Sequence, residues 1–347
     1  MTTETLPPFV QFLLRPESYA HPVDRVELVQ THISYVFLAG DFVYKFKKPV
    51  NFGFLDFSDL AKRQFYCEQE LLLNRRLCPN IYLGLVQIQQ ERESFSLISS
   101  DNAQGAGAVI EYGIQMRRMP EERMMLNLIR TGTLKKSHIE ALVAVLVPFY
   151  QHAAGGGDID NFGKAEAVAV NVLENFDQTR AFIGHGALSQ AQFDAISSYA
   201  RGVLADTARF QKRIDAGRIR DCHGDLYSAN ICLAEKPYIY DCIEFNQRFR
   251  YCDVASDVAF LAMDLDYHGL EPLSTYFIER FVAVSGDTGL VDMLDFYKCY
   301  RAYVRGKIGL FTANDPGVDE AVRKQNLDNA ARYFVLAAQY AAAAANL

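Results

Sequence analysis

The sequence predicts an α+β protein in two parts. A small antiparallel sheet lobe with one helix comes first, and a larger, mainly helical lobe with an embedded hairpin follows. Three observations predict it. Short runs of aromatic and β-branched residues fill the first third of the chain, the composition of half-buried strands. Longer segments with helical spacing fill the rest. A β-rich island, Arg218–Phe245, interrupts those helices. The change of character falls near Arg117–Pro120, so the expected domains are 1–118 and 119–347.

The elements follow in order. Ser34–Leu38, Phe42–Lys47, Leu85–Gln89, Phe95–Ile98 and Val109–Met116 read as strands. Leu60–Leu77 reads as the one helix among them, with Glu and Arg on one side and Phe65, Leu72 and Leu73 on another. Asp101–Ala108 carries Gly and Asn and reads as a turn. Beyond Met119-Pro120, Glu121–Arg130, Ser137–Gln151, Lys164–Phe176 and Ser189–Asp215 read as helices. After the island come Val254–Leu265, Leu273–Val284, Val291–Phe311 and Asp319–Ala345.

Composition narrows the function classes. With 35 Lys+Arg against 42 Asp+Glu, the formal charge is 35 − 42 = −7. An acidic surface argues against bulk nucleic-acid binding, which relies on cations meeting phosphates. The start MTTETLPPFVQFLL has no basic n-region, and the longest apolar stretches fall short of the roughly 20 residues that span a bilayer. The expectation is a cytoplasmic protein with no membrane partner. Seven cysteines, an odd number, argue against a disulfide framework. Cys222, Cys232, Cys242 and Cys252 recur every ten residues, not at the two-to-four spacing of zinc ligands, and read as buried thiols.

The island holds the chemistry. Phosphoryl transfer asks the protein chiefly for positioning, for metal ions on the phosphates and for a carboxylate that orients the attacking hydroxyl. The segment His223-Gly-Asp225-Leu-Tyr-Ser-Ala-Asn230 supplies a loop carboxylate, Asp225, and an amide oxygen, Asn230, suited to a hard cation. Asp241 closes the apolar run Tyr238-Ile-Tyr240. A hairpin from Ile231 to Tyr240 would bring it back beside Asn230, so that both face one Mg²⁺. His223 would brace the loop. Each residue taken alone reads as a turn or cap residue; the combination carries the signal.

Those residues resemble the aminoglycoside phosphotransferase and choline kinase-like family, which shares the protein-kinase fold. The resemblance rests on the His-Gly-Asp-x-x-x-x-Asn pattern, the turn Tyr240–Cys242 and Arg250-Tyr-Cys-Asp253-Val-Ala255. Thr31-His-Ile-Ser34, Tyr44-Lys-Phe-Lys-Lys-Pro49, Met116-Arg-Arg-Met-Pro120 and Phe296–Lys307 resemble a bacterial branch of it, some of whose members carry a further P-loop kinase-like domain. No Gly-x-x-x-x-Gly-Lys-Ser/Thr motif occurs in these 347 residues. The resemblance implies a two-lobe protein-kinase-like fold, ATP or GTP with Mg²⁺ as cofactors, and transfer to a small-molecule hydroxyl. It implies Asp225 as catalytic base, Asn230 and Asp241 as metal ligands, and Asp253 as the aspartate bracing the catalytic loop, with Asp257 a lesser helper.

A kinase-like sheet lobe also needs a strand lysine for the α- and β-phosphates and a helix glutamate to aim it. Lys45 is preferred, with Val43 placed to pack on adenine; Lys47, on the same face, is the alternative. Glu70 is preferred to Glu68. Ser34 and nearby amides would meet the phosphates, because Thr31–Gly40 holds a single, late glycine. Met116, Arg117 and Arg118 would form the hinge that bonds the adenine edge. For the acceptor, Asp257, Asp264 and Asp266 would suit a polyamine, whereas Arg301 and Arg305, one helical turn apart, would suit an acidic or phosphorylated molecule. Two further readings stay open: a nucleotide-binding regulatory or scaffold module working with a separate P-loop kinase, and a kinase acting on a protein hydroxyl.

Overall fold

The computed structural model describes residues 6–100 and 107–345, so most of the turn expected at 101–108 lies outside them. The chain divides into two compact units, Met1–Met124 with Tyr238–Asn246, and Met125–Pro237 with Gln247–Leu347. The architecture is α+β, as expected. The first unit thus includes a short piece of chain from far along the sequence.

In the first unit, helix α1 (Pro8–Leu13) precedes β1 (Val26–Gln30), β2 (Ser34–Ala39) and β3 (Phe42–Lys47). Helix α2 (Leu60–Asn74), β4 (Tyr82–Glu91), β5 (Ser94–Ser99) and β6 (Ala108–Arg117) follow. The six strands make one antiparallel sheet in the order β1-β2-β3-β6-β4-β5. The sequence reading missed β1 because Val26-Glu-Leu-Val-Gln30 is half-exposed and short. Alternation along β3 divides its side chains between two cores. Tyr44 and Phe46 join Phe37, Ile88 and α1 on one face. Val43 joins Ile114, Met116, Cys67 and the returning Tyr238 and Tyr240 on the other.

Helix α2 overturns the expected amphipathicity. Asp59 caps it by accepting from the Lys62 N–H at 2.8 Å. Phe65 and Leu72 are 52% and 64% exposed, while Arg63 and Glu70 are buried. Arg63 places its Nε 2.8 and 2.9 Å from the two oxygens of the buried Glu111 on β6. The helix turns charged groups inward because buried charges of opposite sign await them there, which no periodicity count can register.

In the second unit come α3 (Met125–Arg130), α4 (Lys136–His152), α5 (Ala165–Thr179), α6 (Gln190–Ala205) and α7 (Thr207–Asp215). Then come β7 (Ile219–Asp221), β8 (Ile231–Leu233), α8 (Gln247–Arg250) and β10 (Tyr251–Asp253); β9 (Pro237–Ile239), between β8 and α8 in the chain, falls mostly in the segment counted with the first unit. Four helices close the chain: α9 (Val254–Tyr267), α10 (Glu271–Ser285), α11 (Leu290–Ala313) and α12 (Glu320–Ala345). The expected single helix over 189–215 is two. Asp206 breaks it and caps the second piece by accepting from the Arg209 N–H at 3.3 Å. Strand β10 pairs antiparallel with β7. Strands β8 and β9 form the expected hairpin.

Helix α9 is buried on every side from Val254 to Leu265, the mark of a central helix. Helix α11 packs on it and α12 packs on α11. A Cβ at Gly306 would lie 2.8 Å from the Phe334 ring, so a hydrogen there lets α12 lie close. All seven cysteines are free thiols and six are buried. Burial pushes the Cys67 thiol up to about 12, which suits packing, not reactivity. Among the described residues no helix is long and apolar enough to cross a membrane.

Candidate active site

The sheet unit gathers a buried charge network. Strand β3 carries Lys45 and Lys47 on one face, and α2 carries Glu70 toward it. Lys45 Nζ lies 2.8 Å from Glu70 Oε1 and 2.6 Å from Asp241 Oδ1. Lys47 Nζ lies 2.7 Å from Glu70 Oε2 and also pairs with Glu244. One glutamate therefore bridges both lysines, and each lysine has a second carboxylate. Burial alone would raise the Glu70 carboxyl, but the Lys45 and Lys47 ammonium groups outweigh it and hold it at about 2. Burial would likewise lower Lys45, yet Asp241 and then Glu70 hold it well above its ordinary value. Glu244 goes the other way. Its burial is the largest effect, Lys47 opposes it, and its carboxyl is pushed up.

The returning segment is fixed by the end of α2 and its neighbours. Cys78 Sγ donates to the Ile239 carbonyl at 3.0 Å, and the Cys242 N–H donates to Asn74 Oδ1 at 2.9 Å. The Asp241 N–H donates to the Tyr82 hydroxyl at 3.3 Å. Asp241 itself has φ +63, a left-handed conformation uncommon outside glycine. Its side chain is 44% exposed, so one carboxylate edge stays open beside Lys45.

The helical unit builds its loop differently, by pinning backbone groups with buried side chains. Asp257, fully buried on α9, accepts from the His223 N–H at 2.7 Å, from the Gly224 N–H at 2.9 Å and from the Tyr150 hydroxyl at 3.2 Å. Asp264, two turns on, accepts from the Ser228 N–H at 2.9 Å. Arg301 on α11 donates to the Gly224 carbonyl at 2.9 Å. Gly224 has φ +88, which lets the chain turn between His223 and Asp225. His223 is buried, and its Nδ1 accepts from the Asp225 N–H at 3.3 Å. Asn230 Nδ2 donates to the Asp225 carboxylate and to its carbonyl, both at 3.0 Å, so its amide oxygen faces away from Asp225.

These contacts revise several expectations. Glu68 is exposed and bonded to Gln64, so the glutamate that meets the lysines is Glu70. Lys45 and Lys47 do not stand at a solvated strand end: Lys47 is buried, Lys45 is partly buried, and both belong to one network. Asp253 does not brace the catalytic loop. It caps α9 through the Ala255 N–H at 2.9 Å and takes a two-pronged bond from Arg213 at 2.7 and 2.8 Å. Asp257 is the brace. Ser34 is 1% exposed, with its hydroxyl unbonded among the described residues. Thr31 instead closes the β1–β2 turn, accepting from the Ile33 and Ser34 N–H groups. At the expected hinge, Met116 is buried, and the Arg117 and Arg118 N–H groups donate to the Ile81 and Asp41 carbonyls at 2.9 and 2.8 Å. Both N–H groups are already occupied. The acidic residues expected to face an acceptor are taken too: Asp257 and Asp264 by the loop, Asp266 by Lys298 and Tyr340 at 2.8 and 2.5 Å. Glu244 and Tyr82 were missed; each is an ordinary residue in sequence, and only the fold sets them beside Lys47 and Asp241.

No family model matches the chain. It is 32% identical over 329 residues to uncharacterized proteins of Mycobacterium tuberculosis and Mycobacterium bovis, an alignment over 92% of this chain. The chain spans 61% of the length of those relatives. Similar solved structures include a choline/ethanolamine kinase family protein of Mesorhizobium loti (TM-score 0.48, 13% identity, 95% of this chain and 97% of that one). They also include a spectinomycin phosphotransferase with ADP and spectinomycin (0.48, 12%, 95% and 95%) and an amicoumacin kinase with AMP-PNP and Ca²⁺ (0.49, 10%, 93% and 89%).

Proposed function

We propose that this chain transfers the γ-phosphate of a magnesium nucleotide, ATP or GTP, to a hydroxyl of a small molecule. The observation that carries the reading is the buried Lys45–Glu70 pair with Asp241 on the same ammonium. A lysine held in one place by a helix carboxylate is preorganised to meet phosphate oxygens. In this reading Lys45 holds the α- and β-phosphates, Glu70 aims it, and Lys47 with Glu244 keeps Glu70 in place. Val43 and Met116 pack on the base.

Asn230 and Asp241 would hold Mg²⁺. Both are hard oxygen donors, and Mg²⁺ is commonly held by one or two carboxylates with water and phosphate oxygens completing its shell. When bound, the ion would neutralise charge on the phosphates. Asp225 orients the acceptor hydroxyl and accepts its proton as the oxygen bonds to the γ-phosphorus. The bond from that phosphorus to the β–γ bridging oxygen breaks, and the nucleoside diphosphate leaves with the electron pair. His223 and Asp257 hold the loop that carries Asp225.

Thermal denaturation with and without Mg–ATP or Mg–GTP tests the reading. A nucleotide at a hundredfold its Kd adds about 2.7 kcal/mol, a plain rise in Tm. Asp241→Ala should lose the magnesium-dependent part of that rise. An unchanged Tm at millimolar nucleotide would overturn the proposal.

A further inference from the structure

Sequence left the acceptor's charge open between an acidic and a basic face. The acidic side chains are committed to backbone and lysine partners within the helical unit. The basic face is built into a stack that starts at the catalytic loop. Tyr227, two residues after Asp225, stacks on Phe260 with ring centroids 5.3 Å apart. The Arg305 guanidinium lies 4.8 Å from the Tyr227 ring centroid and 5.8 Å from that of Tyr333. Tyr333 stacks on Tyr267 at 3.8 Å, and Arg332 covers Tyr267 at 4.2 Å. Arg305 Nε is buried without a hydrogen-bond partner among the described residues.

The Arg305 guanidinium lies over the Tyr227 ring and also hydrogen-bonds the Tyr333 side chain; its remaining donors lie at its edge, in its own plane. Those in-plane donors form the fork that matches a carboxylate or phosphate. The rings also fix the fork, so little side-chain freedom is lost on binding. Arg301, one turn earlier, is not available for this, since it holds the Gly224 carbonyl. Its role is to position the loop. Arg332 is exposed at the outer end of the stack, where one of its guanidinium nitrogens, Nη2, donates to the Tyr267 carbonyl at 2.9 Å; an arginine fork has further N–H donors.

We propose that the acceptor bears an anionic group, a phosphate or a carboxylate, and that Arg305, with Arg332 beyond it, grips that group while Asp225 meets the hydroxyl. This rests on the phosphotransfer reading above.

The test measures nucleoside diphosphate release with matched acceptors: glycerol, glycerol 3-phosphate and glycerate; glucose, glucose 6-phosphate and glucuronate. An anionic member should exceed its uncharged parent at least about tenfold in kcat/KM, the worth of one modest charge-assisted bond. The phosphate and carboxylate arms tell the two anions apart. Arg305→Met should shrink the ratio of anionic member to parent by about tenfold, toward one, chiefly through KM, and Arg305→Lys should restore part of it. Arg332→Ala, at an exposed position that does not threaten folding, should shrink the same ratio by a smaller factor. A purely packing role for Arg305 would lower both members together and leave the ratio intact, which overturns the inference. So does a parent used as well as its anionic form, or the absence of transfer to any anionic member. If Mg-nucleotide also fails to raise Tm, the phosphotransfer reading itself falls; if it does raise Tm, only the anionic acceptor is lost.

Discussion

The two units hold their key groups in opposite ways. In the sheet unit, side chains hold side chains: Lys45, Lys47, Glu70, Asp241 and Glu244 form one chain of ion pairs, buried except at Asp241. In the helical unit, buried side chains hold backbone: Asp257, Asp264 and Arg301 fix the N–H and C=O groups of residues 223–228. The first arrangement is tuned by charge and so by pH. The second is tuned by geometry, and breaking it unfolds the loop. A site that must rearrange around a charged ligand gains from the first kind. A carboxylate that must sit at a fixed point gains from the second.

The largest effect should come from the loop's own carboxylate. Asp225→Asn should lower kcat by about 10²- to 10⁴-fold, the usual worth of a positioned base, with unfolding by urea unchanged in midpoint. Full turnover in that variant would remove Asp225 from the role given to it.

Next in size is the brace. Asp257→Ala strands two buried N–H groups, the Tyr150 hydroxyl and a neighbouring Arg301, whose Nη2 lies 3.6 Å away. The expected loss is about 3–5 kcal/mol, the range for breaking a buried charged network, read as a lower urea midpoint. Asp253→Ala should destabilise by a similar route, through Arg213, while leaving the loop's N–H groups bonded. If Asp253→Ala disturbs turnover more than a matched loss of stability explains, the two aspartates have been given the wrong roles.

The charge network predicts a pH dependence of definite sign. Glu70 titrates at about 2 in the folded chain against an ordinary 4.5. Its contribution is therefore present above about pH 4.5 and disappears as pH falls from 4.5 through 2. The 2.5-unit gap corresponds to about 3 kcal/mol at most. Glu244, whose carboxyl is pushed up, works in the opposite sense and reduces that total. Glu70→Gln should flatten stability across this window while the loop variants keep the wild-type slope. Parallel slopes in all variants would refute the contrast between the units.

The smallest effect falls on α2's outer face. Leu72→Gln should change stability by no more than about 0.5 kcal/mol, as surface changes do. A loss of several kcal/mol would restore the apolar face that the sequence suggested.

Much was legible in the residue order. Period-two runs located five of the six strands of the sheet, and helical spacing located most of the helices to within a few residues. The loop from His223 to Asn230 stood out because Gly, Asp and Asn at that spacing have few other uses. These features are local: each rests on residues within a turn or two of one another. Tertiary structure decided what local patterns cannot carry. It turned Arg63 and Glu70 inward, joined both lysines to one glutamate, gave the brace to Asp257 instead of Asp253, and buried Ser34. The physical reason is plainest for the first two. The burial of a charge is decided by whether a partner of opposite sign waits there, and that partner lies tens to hundreds of residues away. Lys45 and Asp241 are 196 residues apart, and they meet at 2.6 Å.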